Sequence, residues 1–388
     1  MVDQQEGTEN LTRRELLRRG SLLVATIGAG PAVIAARAHA KTATPLHHVS
    51  GTINFYSWQG YDLLRETRAW RKKHGVKFKS TYINTHEDIQ AKLTTGGGIG
   101  LFNLSTYYAG WGPIYEDLKI LTPIDVSKVP NYQKSYPLFN RGPLWRKWWH
   151  FEGEQWGIPF TWGTITLNYD AAKIKRPKRW TDLLKPQFKG KIAIMDDLLA
   201  AFSIGAKILG FANVDNLYTR KQLDQIMALY RRFKKNARVV APSYGDLADL
   251  FVAGEIVASI PGWAAVNNFA ADKGKKTVKD VIPAEGSLSF VDSYFIPPKA
   301  KDVDTVLAFI DHTLTPRVQT AQAKSLSAGV VRPDAVPLLE PAVRKLYPYG
   351  KINEIFKKAP IFGIPVKPPK GFVDFAEVTE AWTAFKAA

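Results

Sequence analysis

The 388-residue chain contains no cysteine, which excludes disulfides, a thiolate nucleophile and thiolate-bound iron–sulfur or molybdenum centres. Long hydrophobic runs are missing too: the weakly apolar stretch from residue 20 to residue 36 is broken by Gly28, Gly30 and Pro31 and falls short of the roughly 20 apolar residues that span a bilayer. Among seven histidines, none shows paired zinc-ligand spacing beyond the adjacent His47 and His48. No Gly-x-Ser-x-Gly elbow supplies a hydrolytic nucleophile. Gly96-Gly97-Gly98-Ile99-Gly100 precedes a strand-like run instead of opening a helix, and no Lys-Ser or Lys-Thr follows it; it reads as a loop and not as a phosphate cradle. No repeat period and no long low-complexity segment divides the chain. Enzymatic chemistry and a resident cofactor or metal therefore have no residues to name.

What is present begins with an export leader. Thr12-Arg13-Arg14-Glu15-Leu16-Leu17 precedes the apolar segment, and Ala38-His39-Ala40 puts small side chains where a signal peptidase cleaves. The pattern predicts a twin-arginine signal over residues 1–40, cleaved near Ala40, and a periplasmic protein carried across already folded by the twin-arginine translocase. The chain's net charge is +18; the leader holds five arginines and four acids, which leaves +17 on the rest. Such a surplus raises nucleic acid, an anionic membrane or an acidic ligand as partners. The cations are scattered, however, over Arg71-Lys72-Lys73, Arg231-Arg232 with Lys234-Lys235, and Lys275-Lys276, and read as solvated faces with no nucleic-acid site.

Beyond the leader the chain exceeds the usual ~100–200 residues of one domain, and 45% of its residues are apolar, so two lobes with separate cores are expected. Strand-like runs alternate with helix-like ones, the mark of α/β layers. Residues 52–56, 76–79, 101–104, 191–195 and 256–260 read as strands, and 61–70, 88–93, 200–210 and 303–314 as helices. Leu223, Ile226, Met227, Tyr230 and Phe233 recur at helical spacing and make residues 222–235 the clearest amphipathic helix.

Seven motifs fall at strand ends in a single order. They are Phe55-Tyr56-Ser57-Trp58-Gln59-Gly60-Tyr61, Ser105-Thr106-Tyr107-Tyr108, Trp156-Gly157-Ile158-Pro159-Phe160, Trp180-Thr181-Asp182-Leu183-Leu184-Lys185-Pro186, Met195-Asp196-Asp197, Phe290-Val291-Asp292-Ser293 and Arg332-Pro333-Asp334. With them, from about Ile53 to Leu339, the chain resembles the periplasmic spermidine/putrescine-binding proteins of ABC importers. The resemblance implies an α/β, two-lobed type II periplasmic-binding-protein fold with a hinge and a ligand cleft between the lobes, a usual place for small ligands. It implies a first lobe of residues 51–159 plus about 293–340, a second of 160–292, and C-terminal helices over 341–388 that pack on both. It also implies a monomer without enzymatic activity that hands a small-molecule amine to an inner-membrane ABC permease.

A protonated amine loses hydration on entering a cleft, and carboxylates and aromatic faces offset that cost. By motif position, Trp58 and Tyr61 are expected as first-lobe walls and Ser105 and Tyr107 as sources of hydroxyls. Phe290 is expected as another wall, Asp292 as the acid facing an ammonium, Trp263 as the second-lobe wall and Asp197 as an acid reaching another amine. Phe290 and Asp292 alternate on one strand face, although Asp292 can also turn the chain and Asp197 can be an N-cap. Pro261 can occupy the column given to Trp263. Position 200 is alanine, and Ala264-Ala265-Val266 follow Trp263, where the resemblance implies acids. The expected ligand is thus an amine with one cationic centre, or one bearing a neutral or acidic group, in preference to a long polyamine. An anionic or zwitterionic solute such as an opine or amino-acid derivative, and an exported enzyme or accessory factor on the same fold, are the alternatives.

Overall fold

One thirteen-residue strand organises the molecule. The computed structural model describes residues 49–83 and 86–388; the leader over residues 1–40 and the pair His47-His48 lie outside the described residues. In chain order the described strands are β1 (Gly51–Ser57), β2 (Val76–Tyr82), β3 (Leu104–Tyr108), β4 (His150–Phe151), β5 (Glu154–Gln155), β6 (Ile158–Asp170), β7 (Ile192–Met195), β8 (Ala237–Ala241), β9 (Ala258–Trp263), β10 (Val278–Val281), β11 (Ser289–Phe295) and β12 (Gly329–Val330).

β6 is buried along its whole length, and its β-branched and aromatic side chains suit a strand covered on both faces. At about 3.3 Å per residue it reaches about 40 Å, long enough to serve two packed bodies. Its first half pairs antiparallel with β11 and β12, its second with β9 and β10. The sheet runs β2-β1-β3-β11-β6-β9-β7-β8, with β10 and β12 joining β6 off that path. Parallel pairs stand at both ends, β2-β1-β3 and β9-β7-β8. Parallel neighbours need crossover connections; the Arg68–His74 helix links β1 to β2, and the Leu198–Leu209 and Arg220–Lys234 helices link β7 to β8. One core gathers Ile53, Phe55, Leu104, Phe295, Phe309 and Ile310. Another gathers Leu167, Ile194, Phe202, Ile226 and Tyr230 with Trp382 and Phe385 of the C-terminal Phe375–Ala387 helix.

Most elements fall where hydrophobic periodicity puts them. The amphipathic helix occupies Arg220–Lys234 with all five of its named apolar residues buried, and the helix expected over 200–210 occupies Leu198–Leu209. Two expectations fail. The helix expected from Tyr61 begins only at Arg68, because Tyr61 N–H bonds Trp58 C=O (3.2 Å) and Leu63 N–H bonds Gly60 C=O (3.4 Å), folding the segment into turns. Gly60 stands there at φ 91°, a conformation glycine adopts without penalty. The strand expected over 101–104 starts where it should end: Leu101 is 58% exposed, while residues 104–108 are buried beside β1.

Candidate ligand-binding site

Asp292 sits at an irregularity in the sheet. It pairs with Thr161, but the next residue, Ser293, pairs with Pro159, so Phe160 is an extra residue on β6. Pro159 has no N–H to give a ladder, which suits it to a bulge. Gln319 Nε2 (3.0 Å) and Gln322 Nε2 (2.8 Å) donate to the Phe160 carbonyl, satisfying an acceptor that would be costly to bury alone. The Phe160 ring stacks on Tyr294 at 4.0 Å and meets Tyr61 edge-on at 5.1 Å. Tyr61 in turn donates its hydroxyl to Asp292 Oδ2 at 2.5 Å.

The turn that carries Tyr61 is anchored beside it. Asp62 Oδ2 accepts from Ser80 Oγ (2.7 Å) and Tyr82 OH (2.8 Å) of β2, and Tyr294 OH donates to the Tyr61 carbonyl at 3.2 Å. Asp292 is 6% exposed, and its partner is a phenol, not a cation. Burial pushes its pKa up to about 7, with the Tyr61 bond opposing the rise. Burial, and then the Asp292 charge, hold the Tyr61 phenol well above its ordinary value, so it remains a donor at neutral pH.

Asp197 occupies the other end of the group. It caps the Leu198–Leu209 helix, Oδ1 accepting from Ala200 N at 3.0 Å, while Oδ2 accepts from Tyr244 OH at 2.8 Å. Burial raises its pKa; the Ala200 and Tyr244 bonds oppose that rise and the neighbouring Asp196 charge adds to it. Asp196 itself accepts from Trp382 Nε1 and Lys386 Nζ, both at 2.7 Å. From Tyr244 the aromatic contacts continue to Trp263 (5.6 Å, edge-on) and from Trp263 to Phe290 (5.6 Å, edge-on). Phe290 lies opposite Gly163, where a Cβ would collide with the Phe290 ring. Trp58 directly follows β1, half-buried on the first core, at the carboxyl end of a parallel strand where open α/β sheets take ligands.

Two expected residues are not brought to this group. Asp292 pairs with Tyr108, and Ser293 with Tyr107; paired residues share a face and successive ones alternate. Ser105 and Tyr107 thus point away from Asp292. Tyr107 is fully buried against Tyr115 and Phe295, its hydroxyl directed at Gly157. The Ser105 hydroxyl donates to the Tyr56 carbonyl in the core. Tyr108 has the phase that Tyr107 lacks: its hydroxyl accepts from Phe362 N (2.9 Å) and donates to Phe362 C=O (2.7 Å). Burial raises the Tyr108 pKa, and the charges of both Asp292 and Asp197 add to it. Tyr244 and Phe160 are further members that motif position does not name.

Comparison with known proteins agrees with this architecture. The family model for bacterial extracellular solute-binding proteins matches residues 68–345. The spermidine/putrescine-binding periplasmic protein of Escherichia coli (strain K12) is 28% identical over 307 residues, 77% of this chain and 84% of that one. The putrescine-binding periplasmic protein PotF of the same organism is 25% identical over 361 residues, 87% of this chain and 91% of that one. Among solved structures, the spermidine/putrescine substrate-binding protein PotD of Streptococcus pneumoniae superposes with a TM-score of 0.70 at 18% identity, covering 87% of this chain and 98% of that one. The Atu4243-GABA receptor superposes at 0.64 and 15%, covering 87% and 98%. The fold is the α/β, two-lobed periplasmic-binding type with a hinge and an inter-lobe cleft. The chain belongs to the bacterial extracellular solute-binding proteins.

Proposed function

We propose that this protein is the solute-binding component of an ABC importer, that it captures an amine-bearing cation by closing two lobes on it, and that it delivers the cation to an inner-membrane permease. Asp292 carries this reading. It is a buried carboxyl bonded to a phenol, on the same strand face as the aromatic Phe290, so an entering ammonium meets an acid that, among the described residues, has no cation paired to it. Each cation–aromatic contact adds roughly 0.5–2 kcal/mol against the cost of dehydration. The named ligands of the relatives, spermidine and putrescine, have the same chemistry.

In this reading Trp58, Tyr61, Phe290 and Asp292 form one side of the seat, and Trp263, Asp197 and Tyr244 the other. Both oxygens of Asp197 are engaged, by a helix N–H and by a phenol, which makes it the weaker seat and favours a ligand with one cationic centre. The lobes comprise residues 51–159 with about 293–340, and 160–292, with 341–388 packed on them. The protein works as a periplasmic monomer, without catalysis, after twin-arginine export and cleavage near Ala40.

Two measurements test the scheme. Ligand at 100 times its dissociation constant stabilises the bound form by about 2.7 kcal/mol, so a panel of putrescine, spermidine, agmatine, GABA and agropinic acid is expected to yield at least one amine that raises the melting temperature. Small-angle scattering at saturation should then show a smaller radius; an unchanged radius argues for a rigid site outside the cleft. Changing Arg13 and Arg14 to Lys should leave a folded, binding-competent protein in the cytoplasm and none in the periplasm, because the leader is read separately from the fold. Normal export of that double variant rejects the twin-arginine assignment.

A further inference from the structure

We infer that Asn268 and Ser327 are the latch that holds the two lobes closed over the solute. The inference rests on the lobe-closing reading above. Asn268 Nδ2 donates to Ser327 Oγ at 2.7 Å, between residues that stand on different bodies of the protein. Asn268 lies on the Ala264–Asp272 helix, which buries Val266 and Ala270 in a core with Ala193, Leu247 and Phe251. Ser327 follows the Pro316–Leu326 helix, whose Ala323 belongs to the core of Ile53, Phe55 and Phe309. In the lobe assignment proposed above, the bond runs from the second lobe to the first.

Both ends of the bond are anchored at the site. On the first side, Gln319 and Gln322 of the Pro316–Leu326 helix donate to the Phe160 carbonyl in the bulge beside Asp292. Leu326 packs 3.5 Å from where Gly60, in the turn between Trp58 and Tyr61, would carry a Cβ. Ser327 is 3% exposed, Tyr347 OH donates to its carbonyl at 3.2 Å, and Gly329 pairs with Trp162 of β6. On the second side, Asn168 Oδ1 accepts from Trp263 N–H (2.8 Å) and Asn168 Nδ2 donates to Trp263 C=O (3.0 Å). These bonds fix the start of the helix that carries Asn268. Trp263, the expected second-lobe wall, is the residue directly before that helix, so making the latch and laying Trp263 edge-on to Phe290 at 5.6 Å are one movement.

The backbone at Ser327 shows what its hydroxyl is for. Its φ is 51° and its ψ 37°, the left-handed region that glycine enters freely and other residues enter at a cost, and the one that glycine most often fills just after a helix. A serine here gives up that ease and gains one hydroxyl, whose partner stands on the opposite lobe. Opening the lobes hands both groups to water, so the bond adds to the closed state alone and biases the equilibrium toward it. A bound solute leaves only after it breaks.

Because the chain has no cysteine, a pair of spin labels can be placed at Lys72→Cys and Lys221→Cys, both exposed and one on each lobe. Pulsed EPR on the full mature protein then reads the inter-lobe distance, without solute and with putrescine, spermidine or GABA. Asn268→Ala and Ser327→Gly should each move the solute-free population toward the longer distance. The double variant should go no farther than either single one, since both remove the same bond. For each of the three solutes that binds, dissociation should quicken by about 2- to 10-fold, the worth of one neutral hydrogen bond, with the same factor for every solute and association unchanged. Ser327→Gly should do this without lowering the melting temperature, because glycine fits that backbone without strain. Unchanged distances in both variants, additive effects in the double variant, or a loss confined to one solute overturns the latch. If none of the three solutes binds, the solute-free distances alone decide it. A wild-type distance that does not shorten on binding is a different outcome, which sinks lobe closure itself.

Discussion

Asp292→Asn lowers amine affinity by about 30-fold to several-thousand-fold and, in the same protein without ligand, raises the melting temperature at pH 8. The first effect follows from removing the counter-ion of a buried ammonium, a loss of order 2–5 kcal/mol. The second follows from linkage. The carboxyl is held at about 7 in the folded protein against an ordinary value of 3.8. Between those two values the folded state keeps a proton that the unfolded state releases, so stability falls as pH rises through the window and levels off above 7. At 1.36 kcal/mol per unit, about three units amount to ~4 kcal/mol at pH 8, and asparagine, which does not ionise, removes that penalty.

Asp197→Asn is the internal comparison. Asparagine caps a helix as well as aspartate does, and with its oxygen on the Ala200 N–H its amide nitrogen faces the Tyr244 hydroxyl as a donor in place of the acceptor Oδ2, so both the affinity loss and the stability gain should be much smaller. Calorimetric titration and thermal melts at pH 5 and pH 8 read both quantities on both variants. Equal, large affinity losses would restore an acid at each end of the ligand. No loss at Asp292 would remove the cationic ligand altogether.

The sequence makes the local half of this site legible and hides the half that depends on pairing. Trp58 and Tyr61 follow a recognisable strand, and Phe290 and Asp292 share a face because strand alternation is a local rule. Whether Tyr107 or Tyr108 faces Asp292 is set by the antiparallel register of β3 with β11, whose partners are far apart in the chain. The same holds for the bulge. Pro159 is visible in the sequence, but its effect, an unpaired Phe160 that packs against Tyr61, appears only once β11 is known to be its neighbour. Tyr244 lies 47 residues from Asp197 and carries no motif.

Amine affinity is expected to fall about tenfold for each pH unit below 7 and to level off above it. Binding requires the ionised form of Asp292, and an apparent dissociation constant scales inversely with the competent fraction. With the group near 7, that fraction drops about 50-fold between neutrality and pH 5, whereas an amine with a pKa of roughly 10 stays charged throughout. Ammonium binding should then expel a proton at pH 6, so the apparent binding enthalpy should change with the ionisation enthalpy of the buffer. Tyr61→Phe sharpens the test: the lost phenol bond is what opposes the upward shift of Asp292, so the inflection should move to higher pH in that variant as affinity falls. A contribution from Tyr61 to packing alone would lower affinity and leave the inflection in place. Affinity that stays flat from pH 5 to pH 8 would mean that the ligand's charge rests on an acid already ionised at pH 5, and not on Asp292.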